Sequence, residues 1–152
     1  MSLMHPKVLL VALDTSKRAA GVLAEGIDLA QKLGGKLVLV RAVGLPHEIP
    51  AEAFTESPGR IPEILERHAR EELESQARAV PEGLLAKLRV TSGMAWEVIC
   101  RAADDENADL ILIGSHGYSG IDRLLGTTAS RVVNHSTRSV LVVRDRPADT
   151  RE

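Results

Sequence analysis

Three stretches of this 152-residue chain carry groups that could do chemistry, and each follows an aliphatic run. The richest is Gly114-Ser115-His116-Gly117, which continues through Tyr118-Ser119-Gly120 to Gly126-Thr127-Thr128. Glycines admit positive φ and let a ligand come close to the backbone. Successive N–H groups in such a turn form an anion-binding nest. Gly126-Thr127-Thr128 stands where a helix should begin, and a helix N-terminus favours phosphate through its free N–H groups and its dipole. The Thr127 and Thr128 hydroxyls then bond phosphate oxygens, or cap the helix when no ligand is present. The segment is not a Walker loop, because it lacks Gly-Lys-Ser/Thr. Nor is it the dinucleotide fingerprint, which would follow the first strand. Glycines also serve tight strand–helix turns, so glycine content alone is a weak signal.

The second stretch is Leu13-Asp14-Thr15-Ser16. Asp14 can accept hydrogen bonds from ribose hydroxyls or from an adenine amine, and its charge would repel phosphate. It therefore belongs at the nucleoside end of a site. Asp14, Thr15 or Ser16 can equally cap the following helix, and the two roles can coexist. The third stretch is Arg41-Ala42-Val43. Its backbone could pair with an adenine edge while Ala42 and Val43 pack on the ring face, or it is plain sheet core.

The remaining polar residues read more simply. His116 lies inside the glycine-rich loop and either approaches a phosphate or turns to solvent. Arg123 either neutralises phosphate charge or is solvated. His68 and His135 fall on helices and read as structural. Cys100 shares an apolar face with Trp96 and Ile99, which suits a buried, inert thiol. No metal-ligand spacing and no nucleophile–base pair is recognisable.

These stretches need a scaffold, and the hydrophobic pattern supplies one. Continuous aliphatic runs at residues 7–13, 36–43, 108–113 and 139–143, with a weaker one at 88–91, suit strands buried on both faces. Between them lie helical patterns. Ala19, Val22, Leu23, Ile27, Ala30 and Leu33 mark a helix over residues 16–33, stopped by Gly34-Gly35. Ile61, Ile64, Leu65, His68, Ala69, Leu73, Ala77 and Val80 mark a second, ending near Pro81. Trp96, Ile99, Cys100 and Ala103 mark a third, and Ala129, Val132 and Val133 a fourth. Strands alternating with helices imply right-handed crossovers and a parallel sheet covered on both faces. In such sheets ligands bind beyond the carboxyl ends of the strands. Residues 44–60 carry three prolines and no clear period. They form either a lid or a plain excursion.

Composition narrows the function. Apolar residues are 44% and charged residues 26%, and the net charge is −2, so no basic stripe for nucleic acid is present. Aromatics at 2% leave no stacking platform for single strands. One cysteine excludes an internal disulfide and suits a reducing compartment. No run approaches a spanning helix, and the N-terminus lacks signal-peptide features. The expectation is a cytoplasmic protein with one domain over residues 1–146 and a polar tail at 147–152.

Over residues 7–144 the chain resembles the universal stress protein family. The matching residues are Val11-Ala12-Leu13-Asp14-Thr15-Ser16, Gly114-Ser115-His116-Gly117, Gly126-Thr127 and the closing Ser139-Val140-Leu141-Val142-Val143. The resemblance implies an open five-stranded parallel α/β sheet of order 3-2-1-4-5, Rossmann-like and of the adenine nucleotide α-hydrolase type. It implies a homodimer through the last strand, Val140, Leu141, Val142 and Val143. That agrees with the need to cover an apolar edge. ATP-binding members carry Gly-x2-Gly-x9-Gly-Ser/Thr. Gly114, Gly117, Gly126 and Thr127 match it, but only eight residues, 118–125, separate Gly117 from Gly126.

Carried over residue by residue, the nucleotide contacts are Leu13 and Asp14 at the nucleoside, Ala42 at adenine, and Gly114, Ser115, His116, Gly117, Gly126, Thr127 and Thr128 at the phosphates. Ala42 is smaller than the Val common in binders. ATP would bring Mg2+ or Mn2+ on its phosphates. The expected activity is a stress-response or signalling role in which occupancy alters shape or partner affinity. The alternatives are a dimeric interaction module that has lost nucleotide binding, and a slow ATPase, against which stands the lack of an evident base.

Overall fold

The aliphatic runs pair side by side in parallel. In the computed structural model, residues 8–44, 60–115 and 125–144 are described. They form β1 (Val8–Ala12), α1 (Ala19–Leu33), β2 (Lys36–Val43), α2 (Ile61–Ala77), β3 (Leu85–Ser92), α3 (Ala95–Asp105), β4 (Leu110–Gly114), α4 (Thr127–His135) and β5 (Ser139–Val143). The sheet order is β3-β2-β1-β4-β5, and every pair is parallel. The expected fold class and order are therefore observed.

Burial on both faces explains why the runs do not alternate. Leu10, Val38, Val40, Ile111 and Ile113 pack under Val98, Ile99, Ala102 and Ala103 of α3 and Ala129 and Val132 of α4. Leu9, Val11, Leu37, Leu39 and Leu112 pack on the other face under Val22, Leu23 and Ala30 of α1 and Leu73 of α2. Each fully buried aliphatic side chain contributes about 1.5–3 kcal/mol relative to exposure, so the two layers together dominate folding.

Three elements differ most from the sequence expectation. β3 spans eight residues, Leu85–Ser92, not four. It is an edge strand with Ala86, Lys87 and Ser92 exposed, so it needs no continuous aliphatic run. Ala86 is also an extra residue in its pairing with β2, where the register shifts between Leu37 and Val38. α1 begins at Ala19 because residues 16–18 form a turn, with the Ala19 N–H donating to the Ser16 carbonyl at 3.2 Å. α2 ends at Ala77, ahead of Pro81, in successive tight turns such as Val80 N–H to the Ala77 carbonyl at 3.0 Å. Residues 45–59, most of the proline-bearing stretch, and residues 145–152, with the expected tail, lie outside the described residues.

α1 approaches β1 so closely that a Cβ added at Gly26 would lie 2.8 Å from Val11 Cγ2. Val11 is fully buried and β-branched, so it cannot swing aside. Gly21, on the exposed face of the same helix, has nothing within 4 Å. The two glycines should thus respond oppositely to alanine. Gly21→Ala should gain up to about 1 kcal/mol from helix propensity. Gly26→Ala has the same gain but overpacks at a cost of about 1–3 kcal/mol, for a net loss. Urea unfolding of both variants checks this, and equal midpoints would refute the close approach.

An ion network ties the edge strand to the end of α3. Lys87 Nζ lies 2.9 Å and Arg89 Nη1 3.0 Å from Glu106 Oε1, and Arg89 Nη2 is 3.1 Å from Asp105. The Lys87 hydrogen bond, supported by Arg89, holds the Glu106 carboxyl below its ordinary value of 4.5, while partial burial opposes. A carboxyl with a depressed folded-state pKa contributes stability above its unfolded value. That contribution is lost as pH falls through the lower folded-state value. The stability difference between the native chain and Glu106→Gln should accordingly shrink as pH drops below about 4.5. Denaturant midpoints across that range measure it, and a pH-independent difference would contradict the assignment.

Candidate functional site

The sheet order reverses between β1 and β4. From β1 the chain first builds outward through β2 and β3, and β4 then returns to its other side. Such a reversal leaves a crevice beyond the carboxyl ends of the strands. Here a cleft of about 420 Å³ opens at that point, within the ~300–1,000 Å³ usual for small-molecule sites. Its walls come from both layers: Ala19 and Val22 of α1 on one side, Ala95 and Ile99 of α3 and Ala129 of α4 on the other.

Leu13, Asp14, Ala42, Gly114, Thr127 and Thr128 all line this cleft. Leu13 is buried, and its N–H extends the β1–β2 ladder by donating to the Val40 carbonyl at 3.0 Å. The ladder thus carries the chain to the point where Asp14 emerges, exposed, at the rim. The Asp14 carboxylate accepts the Ser16 N–H at 2.9 Å, closing a local turn. It does not cap α1, whose N-cap is Arg18 with no side-chain cap bond. The Asp14 carbonyl accepts from Gln76 Nε2 of α2 at 3.0 Å. Ala42 is half-buried and packs toward the α3–α4 layer.

The glycine-rich loop is held at both ends. Ser115 N–H donates to the Val143 carbonyl at 3.0 Å, prolonging the β4–β5 ladder. Gly126 N–H donates to the Ser115 carbonyl, also at 3.0 Å. The end of β4 and the start of α4 are therefore joined directly, although Ser115 and Gly126 do not themselves line the cleft. His116 and Gly117, with Arg123, fall outside the described residues. Gly126 has φ −60 and ψ 161, an extended conformation open to any residue. The freedom for positive φ that a glycine offers is thus not used at Gly126.

Gly126 is the N-cap of α4 and offers no side chain to cap it. Thr127, Thr128 and Ala129 form the first turn, and N–H groups there have no intrahelical acceptor. No acidic residue lies in that turn, so its positive dipole end is uncompensated by carboxylate. The cleft is accordingly polarised, with a carboxylate at the β1 end and open N–H groups at the β4 end.

Several wall residues are given no ligand role by their sequence context. Arg41 lines the cleft and pairs with Glu72 of α2 at 2.8 Å, on the sheet face opposite Ala42. Ala95 and Ile99 are ordinary helix residues, and only the topology brings them to the site. Thr15 and Ser16 also line the cleft, whereas His135 and Cys100 lie elsewhere. The His135 ring is 4.5 Å from Trp96. Cys100 is half-buried; burial, with Asp104 adding, pushes its thiol pKa up. Among the described residues no group of three metal-ligating side chains is found, and no helix is long and apolar enough to cross a membrane.

Residues 6–144 match the model of the universal stress protein family. Among curated proteins the chain is similar to universal stress protein A homolog 1 of Coxiella burnetii, at 28% identity over 147 residues, covering 92% of this chain and 97% of the other. Among solved structures it resembles universal stress protein UspA from Lactobacillus plantarum, with TM-score 0.73 at 23% identity, covering 92% and 99% of the two chains. It also resembles a universal stress protein solved in complex with cAMP, with TM-score 0.59 at 21% identity, covering 92% and 98%. The order of the sheet, the crevice at its reversal and the match across nearly the whole chain agree, and the chain belongs to the universal stress protein family.

Proposed function

We propose that the cleft binds an adenine nucleotide, ATP in the first instance, and that its occupancy regulates a homodimeric stress-response or signalling protein. The observation that carries this reading is the Gly126 N–H to Ser115 carbonyl bond. It sets the open first turn of α4 beside the end of β4, across the cleft from Asp14. The base then packs between Leu13 and Ala42, and the ribose hydroxyls donate to Asp14. The phosphates face Gly114, Thr127 and Thr128, with Ser115, Gly126, His116 and Gly117 completing the loop. Mg2+ or Mn2+ would travel on the phosphate oxygens, its hard-cation preference being for oxygen ligands. The neighbour solved with cAMP makes a cyclic nucleotide the natural competitor to test.

Calorimetry and thermal melting with Mg-ATP, AMP and cAMP test the reading. Saturation at a hundred times Kd should add about 2.7 kcal/mol of stability. Asp14→Ala should weaken binding by about 1.5–3 kcal/mol, the worth of a charged hydrogen bond. Asp14→Asn keeps an acceptor for the Ser16 N–H and separates loss of charge from loss of the turn. No heat and no melting shift with any of the three nucleotides would sink nucleotide binding and favour a ligand-free interaction module.

The dimer would form through β5. Val143 directs its carbonyl toward β4, where Ser115 N–H meets it. Alternation along the strand then turns the Val142 N–H to the free edge. Val142→Pro removes that donor. Sedimentation should show a dimer for the native chain and a monomer for this variant, with the far-UV spectrum retained. A native chain that sediments as a monomer at high concentration would rule the dimer out.

A further inference from the structure

The start of α3 carries a cluster that the nucleotide reading does not use. Met94 is the N-cap residue of α3 and is 54% exposed. Its Sδ accepts the Trp96 indole N–H at 2.8 Å. Arg131 Nη1, from α4, approaches the same sulfur at 3.6 Å. The Trp96 ring lies 4.5 Å from the ring of His135, and His135 Nδ1 is 2.9 Å from the Arg131 carbonyl oxygen. Donors from two helices thus converge on one exposed thioether.

A thioether sulfur is a weak acceptor, whereas an indole N–H and a guanidinium are good donors. A sulfoxide oxygen borne on this sulfur would be a far stronger partner for both, once the exposed Met94 side chain draws back to admit it. Met94 is more than half exposed, so peroxide can reach it from solvent. We propose that Met94 is a reversible oxidation site, at which hydrogen peroxide converts the thioether to a sulfoxide whose oxygen is held by Trp96 and Arg131, fastening the start of α3 to α4.

In the step, a sulfur lone pair attacks one peroxide oxygen. The S–O bond forms as the O–O bond breaks. The departing hydroxide takes up the proton released from the attacked oxygen and leaves as water. Sulfur is oxidised by two electrons and peroxide is reduced by two. Methionine sulfoxide reductases return the thioether. Cys100, one turn beyond Trp96, competes poorly, because its raised pKa leaves little thiolate.

The chain has one tryptophan, so Trp96 emission reports on this cluster alone. The full chain is treated with hydrogen peroxide and followed by peptide mass spectrometry, emission and melting. Met94 should gain one oxygen at a rate no slower than free methionine in the same solution. Emission should change with the same time course, and methionine sulfoxide reductase should restore both. In Met94→Leu, peroxide should leave emission unchanged, which excludes direct oxidation of the indole.

The oxidised native chain should melt at or above its reduced form. Oxidised Arg131→Ala should melt below its own reduced form, and Arg131→Lys should recover most of the difference. Equal melting losses on oxidation in the native chain and Arg131→Ala would identify simple damage and overturn the proposal. So would full oxidation of Met94 without an emission change, or oxidation much slower than that of free methionine. All these readouts are taken without nucleotide, so they stand or fall independently of the cleft's ligand.

Discussion

A parallel sheet must be covered on both faces, because its strands are too apolar to meet water on either. β2, β1 and β4 feel this constraint most, since each has a strand on both sides. The chain meets it by sending α1 and α2 to one face and α3 and α4 to the other. The two crossovers leave β1 and β4 in opposite directions, and the crevice is the space that this divergence opens. The site is therefore a product of topology first. Its apolar walls are the upper ends of the two core layers, and only its rim is chemically distinctive.

Polar interactions divide between the two ends of the sheet. At the amino ends of the strands they are dense and local. Arg138 Nη1 donates to Asn107 Oδ1 at 3.1 Å and to the Ala108 carbonyl at 3.0 Å, and Arg138 Nε reaches Asp104 at 3.3 Å. These bonds pin the α3–β4 turn, where Asn107 takes a positive φ of 50, against the α4–β5 turn. At the carboxyl ends, the Gln76 bond to the Asp14 carbonyl and the Arg41–Glu72 pair anchor α2 to the cleft rim instead. Glu72 and Gln76 are four residues apart, so they project from one face of α2. Any shift of the rim on ligand binding would thus be felt along that helix.

How much of this is legible in sequence depends on whether a residue acts through its type or its position. The four strong strands announce themselves because two-sided burial demands unbroken aliphatic runs. β3 is half-hidden because an edge strand tolerates Lys87 and Arg89, and because Ala86 interrupts the period. The ends of helices are less readable. Ser16 and Asp14 look like caps, yet the Asp14–Ser16 bond closes a turn ahead of the helix, and Arg18 occupies the N-cap without a side-chain bond. Asp14, Gly114, Thr127 and Thr128 are recognisable site residues because strand ends and helix starts are where ligands meet backbone. Ala95 and Ile99 are not, since nothing but the three-dimensional layering brings them to the cleft.

The shortened spacing between Gly117 and Gly126 raises the question of whether the two ends of the glycine-rich segment can still meet. A missing residue could draw Gly126 away from β4, or it could be absorbed between fixed ends. The Gly126 N–H to Ser115 carbonyl bond distinguishes these cases at the ends themselves, since it joins them at 3.0 Å. Closure entropy does not oppose it. A loop of ten rather than eleven residues between Ser115 and Gly126 changes the cost by only about 0.1 kcal/mol. The hydrogen bond contributes about 0.5–1.5 kcal/mol, several times more. Loop length therefore has little leverage over where α4 begins.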